Sequence, residues 1–211
     1  MAQNHRNYQK EMEKIIEGLQ GKRKSLLLHS CCAPCSSAVL EKLQEIFEIT
    51  VFYYNPNISE DVEYRKRVEE QKRLIEVFNR KAPSCPIKII DGDYEPQEFY
   101  QIAKGLETCP EGGERCFKCY ALRLEKTAQL AKEEKFDYFT TTLTISPLKN
   151  AAKLNEIGEE MAVKYETAFL PSDFKKKEGY KRSIELSKEY NLYRQNFCGC
   201  AFSKAESLKR E

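Results

Sequence analysis

Apolar and polar positions along this 211-residue chain switch between a helical period and short unbroken apolar runs, and the switching predicts an order of elements. Roughly residues 4–20 form an amphipathic lead. "KSLLLHS" has the unbroken apolar centre of a buried strand, and "SSAVLEKLQEI" returns to helical spacing with its apolar residues on one face. "ITVFYY", rich in β-branched and aromatic residues, predicts a second strand that ends at the turn cluster "NPNIS". Ser59 is placed to cap the long helix that follows, with Glu60 and Asp61 in its first turn. "PIKII" predicts a third strand, stopped by "DGD", and a shorter helix follows near 95–104. After the loop "GLETCPEGGERC" the pattern is helical from Cys116 to about Lys135, and "FDYFTTTLT" predicts a fourth strand. "SPLKN" opens another helix, with Pro147 near its first turn. The remainder holds a basic stretch, a helical "YKRSIELSKEYN" and "YRQNFCGCAFS".

Strands alternating with helices predict an α/β fold, a mostly parallel sheet flanked by helices with Cys-rich loops at its rim. No internal repeat, low-complexity segment or linker divides the chain. Residues 1–211 therefore read as a single α/β domain, with 1–20 as a helical lead and 171–211 as a basic, cysteine-containing tail. In such sheets sites gather beyond the carboxyl ends of the strands. That rule sends Cys31, Cys32 and Cys35, Asn55 and Asn57, Asp91 and Asp93, and Thr142 and Ser146 toward one rim.

Composition narrows the setting. With 41% hydrophobic and 32% charged residues the chain reads as a soluble globular protein long enough for one good core. No apolar run approaches the roughly 20 residues needed to span a bilayer. "MAQNHRNYQKEMEK" has no apolar h-region, so a cytoplasmic protein with no membrane partner is expected. Thiols there stay reduced and structural disulfides are rare. Eight of the nine cysteines fall into four groups: Cys31/Cys32/Cys35, Cys109, Cys116/Cys119 and Cys198/Cys200. Clustered thiols in a reducing compartment argue for metal, an iron–sulfur cluster or redox chemistry. The net charge of +2 announces no polyanion partner, but "DFKKKEGYKRS" concentrates Lys175, Lys176, Lys177, Lys181 and Arg182. Such a stripe can hold phosphates in place of condensed counterions, and a solvated helix start has the same pattern.

Cys116 and Cys119 form C-x-x-C at a helix start, where residues three apart share a face and the helix dipole favours the thiolate. Structural zinc prefers a closed tetrahedral knuckle, for which the diverging neighbours Cys31 and Cys32 are an awkward pair. A cubane presents four separate iron corners and accepts ligands from wider directions, so the spacing favours iron–sulfur over zinc. In Cys198-Gly199-Cys200 the glycine lets the chain bend into a small, strained and easily reduced ring; the alternative is two further metal ligands. Cys35 and Cys109 remain for a second metal, with Asp or His29, or as thiols that only pack. G-x-S-x-G, Walker A and G-x-G-x-x-G motifs are absent, and His29, inside the first strand end, reads as a hydrogen-bonded structural histidine.

Together, "HSCCAPC", "YYNPNI", "ETCPEGGERCFKCYALRL", "TTLTISPLKN" and "DFKKKEGYKRSIELSKEYNLYRQNFCGC" resemble the QueH family of epoxyqueuosine reductases over about residues 25–202. The resemblance implies an adenine-nucleotide hydrolase (HUP)-like fold. It also implies a cytoplasmic oxidoreductase of queuosine biosynthesis that removes the epoxide oxygen of epoxyqueuosine at the tRNA wobble position, independently of cobalamin. The family is linked to a [4Fe–4S] cluster and an adjacent iron as second metal ion. Carried onto this chain, the cluster ligands fall on Cys31, Cys32, Cys116 and Cys119, and Cys198 and Cys200 match a redox-active disulfide pair, with iron ligation by one of them as the alternative. Cys35 and Cys109 are the candidates for the second metal, whose role is that of a Lewis acid on the epoxide oxygen. Asp173, Tyr180 and Tyr193 are candidate acids by type alone. The implied partners are tRNA with a GUN anticodon, its phosphates on the basic stripe, and an external electron donor. Two other readings are an iron–sulfur-dependent tRNA thiolation enzyme and a non-catalytic zinc RNA-binding protein. The first calls for a Gly/Ser-rich pyrophosphate loop where "CCAPCSS" stands.

Overall fold

Leu26, Leu27 and Leu28 are fully buried at the centre of β1 (Lys24–His29), the middle strand of a sheet covered on both faces. Side chains alternate across a strand. Leu26 and Leu28 accordingly join one apolar cluster and Leu27 joins another on the opposite face. The computed structural model describes residues 6–209, so positions 1–5 of the lead and 210–211 of the tail lie outside the described residues.

The chain runs α1 (Tyr8–Gly18), β1, α2 (Ala33–Leu43), β2 (Phe47–Tyr53), α3 (Asp61–Lys81), β3 (Lys88–Asp91), α4 (Pro96–Ala103), α5 (Glu114–Glu133) and β4 (Tyr138–Thr141). A 3₁₀ turn (Thr142–Ile145) precedes α6 (Ala151–Tyr165), β5 (Ala168–Phe169), α7 (Gly179–Glu189) and α8 (Ala201–Leu208). All pairings are parallel, in the order β3-β2-β1-β4-β5. The α/β expectation is met, and the sheet carries a short fifth strand that the sequence pattern does not announce. Met12 of α1 and residues of α2, α3 and α7 fill the first cluster, while α5 and α6 fill the second. The chain winds from β1 to β2 on one side and returns to β4 on the other, so the topological switch point lies between β1 and β4. His29 pairs with both Phe52 and Thr141, which sets the three central strand ends level.

Local chemistry moves three boundaries from their expected places. Ser59 does not cap α3; Glu60 holds the cap position without a side-chain hydrogen bond, and Ser59 Oγ donates to Gly199 O at 3.3 Å. The fourth strand stops at Thr141, whose hydroxyl accepts from Leu143 N at 3.1 Å and starts the 3₁₀ turn. Pro147 belongs to the following turn, and α6 begins only after Asn150, whose side chain accepts from Lys153 N at 3.0 Å. Asp91 and Asp93 do not reach the shared rim. β3 is an edge strand, both residues are exposed, and Asp91 is paired with Lys72 at 2.7 Å. No described helix is long and apolar enough to cross a membrane.

Candidate metal centre

Two cavities open beyond the strand ends. The larger, of about 430 Å³, has Cys31, Cys32 and Cys35 along one wall and Arg67, Lys149 and Cys198 along others. The smaller, of about 20 Å³, is bounded by Cys116, Cys119, Cys198 and Cys200 with Asn57 and Tyr120. Cys198 and Lys149 belong to both. Seven of the nine cysteines thus border one connected region, and the sulfurs of Cys31, Cys32 and Cys35 lie within 4.8 Å of one another. All nine are free thiols, and Cys109 and Cys85 border neither cavity.

Each group is delivered by a strand end or a helix start. Cys31 follows β1, and Cys32 is the N-cap of α2, with Pro34 in its first turn. Hydrogen bonding from Cys32 and then Cys35 holds the Cys31 thiol well below its ordinary value, and the Arg123 and Lys149 charges add to this. Donating to Cys31 pushes Cys32 and Cys35 up. The triad therefore concentrates thiolate character on Cys31. In α5, Cys116 accepts from Gly112 N at 3.2 Å, and Cys119 sits three residues on, on the buried face. Burial pushes Cys116 up and Cys119 up to about 11. Cys31 and Cys116 pack against the same apolar cluster, which brings the two cysteine groups to one side of the sheet end.

The segment Phe197–Cys200 is strapped across α3. Arg67 is 2% exposed; its Nε donates to Glu63 at 2.6 Å, its Nη1 donates to Cys198 O at 3.0 Å, and its Nη2 has no hydrogen-bond partner. Ser59 N donates to Gly199 O at 3.1 Å. Cys200 caps α8 by accepting from Ser203 N at 3.3 Å, and burial pushes its thiol up to about 12. Gly199 has φ +119°, and a Cβ there would stand 2.9 Å from Ile58 Cγ1 and 3.2 Å from Arg67 Nη1. Gly199→Ala is expected to cost about 1–3 kcal/mol, the range for a residue forced into sparsely allowed backbone. Urea unfolding under reducing conditions measures it, and an unchanged midpoint would mean the strap is not held this way.

Two buried arginines and the half-buried Lys149 complete the site, and residue patterns along the chain do not single them out as a group. Arg123 is 1% exposed and Arg67 2%, each on the core face of an amphipathic helix. A charged residue at a core-face position is the one sequence signal that marks them. Lys149 Nζ lies 3.6 Å from Cys198 Sγ. Burial pulls its pKa down, but Cys198, Tyr120 and Cys31 outweigh this and hold it above the ordinary lysine value. His29 is fully buried, with Nδ1 2.8 Å from Thr141 Oγ1, and burial and then Arg123 lower its pKa to about 3. It is held neutral and bonded, as a structural histidine.

The candidate acids sit differently from one another. Tyr180 borders the larger cavity; Asp173 and Tyr193 border neither. Asp173 is paired with Lys175 at 2.9 Å, and the Tyr193 hydroxyl donates to Glu63 at 3.0 Å. Much of the basic stripe is already partnered: Lys177 with Glu13, Lys181 with Glu178, and Arg182 with Glu41 and Glu185. Lys176 is exposed.

Sulfur dominates the donor set: His29 is committed to its hydrogen bonds, and beside the seven thiols stands one carboxylate, Glu111, on the walls of both cavities. Thiolates select zinc or iron–sulfur centres. A buried charge with no counter-charge costs several kcal/mol, and the buried Arg123 makes no ion pair with a carboxylate among the described residues. An anionic thiolate-bound metal centre would supply that counter-charge, so the residues present fit such a group.

Comparison with known proteins places the chain in a family. The sequence model of the family described as epoxyqueuosine reductase QueH matches residues 26–206. A Staphylococcus epidermidis protein named epoxyqueuosine reductase QueH is 45% identical over 201 residues, covering 93% of this chain and 84% of that protein. Proteins of the same name from Streptococcus pyogenes serotype M1 and Thermotoga maritima are 43% and 35% identical. The alignments cover 95% and 88% of this chain, and 78% and 93% of those proteins.

Proposed function

Because the chain belongs to the epoxyqueuosine reductase QueH family, we propose that it reduces epoxyqueuosine to queuosine at the wobble position of tRNA bearing a GUN anticodon. The reaction takes up two electrons and two protons and releases the epoxide oxygen as water, leaving a carbon–carbon double bond. It needs no cobalamin in this reading, runs in the cytoplasm and draws its electrons from an external donor.

The observation that supports this best is the convergence of seven cysteines on adjoining cavities at the sheet's switch point, with the Lys149 cation on both walls. Cys31, Cys32, Cys116 and Cys119 would hold a [4Fe–4S] cluster, and Cys35 a second metal ion, iron, on the wall of the larger cavity. Cys109 borders neither cavity, so the second site rests on Cys35. When bound, the cluster supplies electrons one at a time and the second metal supplies Lewis acidity.

The chain's own residues do the rest. The larger cavity has room for the modified base, with Tyr180 and Arg194 on its wall. A base splayed from its stack is held by aromatic and guanidinium planes. Lys149 is the cation that faces both cavities. Its ammonium stabilises charge that grows on the departing oxygen, and an alkoxide is basic enough to take its proton. Asp173, set behind Lys175, positions that lysine's charge rather than reaching the cavity. Cys198 and Cys200 as thiols carry two electrons and two protons, the number one turnover consumes; closing their disulfide releases both, and the external donor restores them. Lys175, Lys176, Lys177, Lys181 and Arg182 would meet the anticodon-arm phosphates.

The test is a measurement of iron, acid-labile sulfide and zinc per chain after anaerobic isolation. Incubation with epoxyqueuosine-containing tRNA and a low-potential reductant follows. Iron, sulfide and new queuosine in the nucleoside digest are expected. A colourless zinc protein, or no queuosine with the cluster intact, would overturn the reading.

A further inference from the structure

Arg123 lies behind the cavity walls, lining neither cavity but reaching Cys119, and no step above uses it. Every polar atom of its guanidinium is engaged, and every partner is an uncharged group or a cysteine. Nε donates to His29 Nε2 at 3.2 Å, Nη2 donates to Asn55 Oδ1 at 2.5 Å, and Nη1 lies 4.0 Å from Cys119 Sγ. Asn55 is itself fixed, donating through Nδ2 to Ser30 O at 2.8 Å. His29 is likewise fixed on both ring nitrogens, with Nδ1 2.8 Å from Thr141 Oγ1 and Nε2 3.1 Å from Tyr54 O. The histidine can give no negative charge, and position 55 is an amide where a carboxylate of the same shape would neutralise the guanidinium. The full positive charge is thereby left for the sulfurs on its remaining side.

We propose that Arg123 is the built-in counter-charge of the metal centre, a positioning residue that stabilises its added negative charge and so raises its reduction potential. The proposal rests on the iron–sulfur reading above. Its physics is that of a fixed cation in a low-dielectric site. When the centre accepts one electron from an outside reductant, its charge becomes one unit more negative, and a nearby permanent cation favours that form. Arginine suits the role because it keeps its proton under all working conditions and its planar fork can be held by several neutral acceptors at once. Hydrogen bonds and charge around the sulfurs are among the protein's levers on such potentials.

Three variants test it on the anaerobically isolated protein, with metal content and an optically monitored reductive titration as readouts. Arg123→Met deletes the charge. Asn55→Asp keeps Arg123 and gives it a carboxylate at the position of Oδ1. Arg123→Lys keeps the charge with a poorer fit. In Met and Asp variants that retain iron, the ratio of reduced to oxidised centre at a fixed potential should fall about tenfold, a negative shift of about 59 mV for one electron. The Lys variant should stay nearer the parent. Loss of iron from the Met variant with retention in the Lys variant also supports the proposal, since charge is then what the centre requires. An unshifted potential in iron-loaded Met and Asp variants overturns it. So does loss of iron from all three, because shape and not charge would then be decisive. A parent protein whose metal is redox-silent defeats the functional reading itself, a result that is distinct from an unshifted variant.

Discussion

Cys119→Ser is expected to lose its cluster iron and its reductase activity together, and Cys116→Ser to behave in the same way. Both thiols come from one face of α5, and no other described cysteine on that helix can replace them. Serine removes the soft ligand atom that selects the metal, so activity should fall by more than the 10–100-fold typical of losing an outer partner, about 100-fold at least. Cys119 is 6% exposed, so the hydroxyl must also be buried, and circular dichroism should accompany the iron assay to show that the fold persists. Cys200→Ser provides the contrast. If Cys198 and Cys200 cycle as a dithiol, this variant keeps most of its iron and loses turnover. Iron loss there would instead move Cys200 into the ligand set and remove the disulfide from the mechanism.

The second large effect is expected at Lys149. Lys149→Met should lower kcat by about 10²–10³, the range that follows removal of one preorganised donor to a developing oxyanion. KM for tRNA should stay close to that of the parent, because the lysine faces the inner cavities rather than the basic stripe. Lys149→Arg should recover part of kcat, since it restores a cationic donor with altered reach. Iron content, measured in parallel, separates a catalytic loss from a damaged centre. An unchanged kcat in an iron-loaded Met variant would remove Lys149 from the chemistry.

Much of the fold is legible in the chain because its strongest signals are periodic. The unbroken apolar centre of β1 and the long amphipathic α3 and α5 carry their own assignment. What fails to show is decided by contacts across the fold. β5 has two residues, Ala168 and Phe169, too few for any period to appear. Ser59 has the chemistry of a cap, but its hydroxyl is drawn to Gly199, 140 residues away. Thr140 and Thr141 read as strand and Thr142 as more of it, until the Thr141 hydroxyl turns the chain. At the site, cysteine spacing points to thiols that act together, and the structure brings seven of them to adjoining cavities. The cations are harder to read. Arg67 and Arg123 show only as charges on the core face of a helix, and Lys149 has the pattern of a solvated residue. The thiols beside them are Cys198, from a distant part of the chain, and Cys119, one turn before Arg123 in the same helix.

The ion pairs along the basic stripe bear on the distance at which a polyanion is felt. Lys177, Lys181 and Arg182 already face Glu13, Glu178, Glu41 and Glu185, so from afar the stripe is a row of dipoles rather than a row of charges. A dipole's field fades faster with distance than that of a single charge, and dissolved salt cuts off what survives within about 8–10 Å. Surface pairs of this kind hold each other weakly, by about 0–1 kcal/mol, so a phosphate that arrives at contact can take a lysine from its glutamate at little cost. In the proposed role, such a surface would be quiet toward nucleic acid at a distance and would respond to phosphates that arrive at contact.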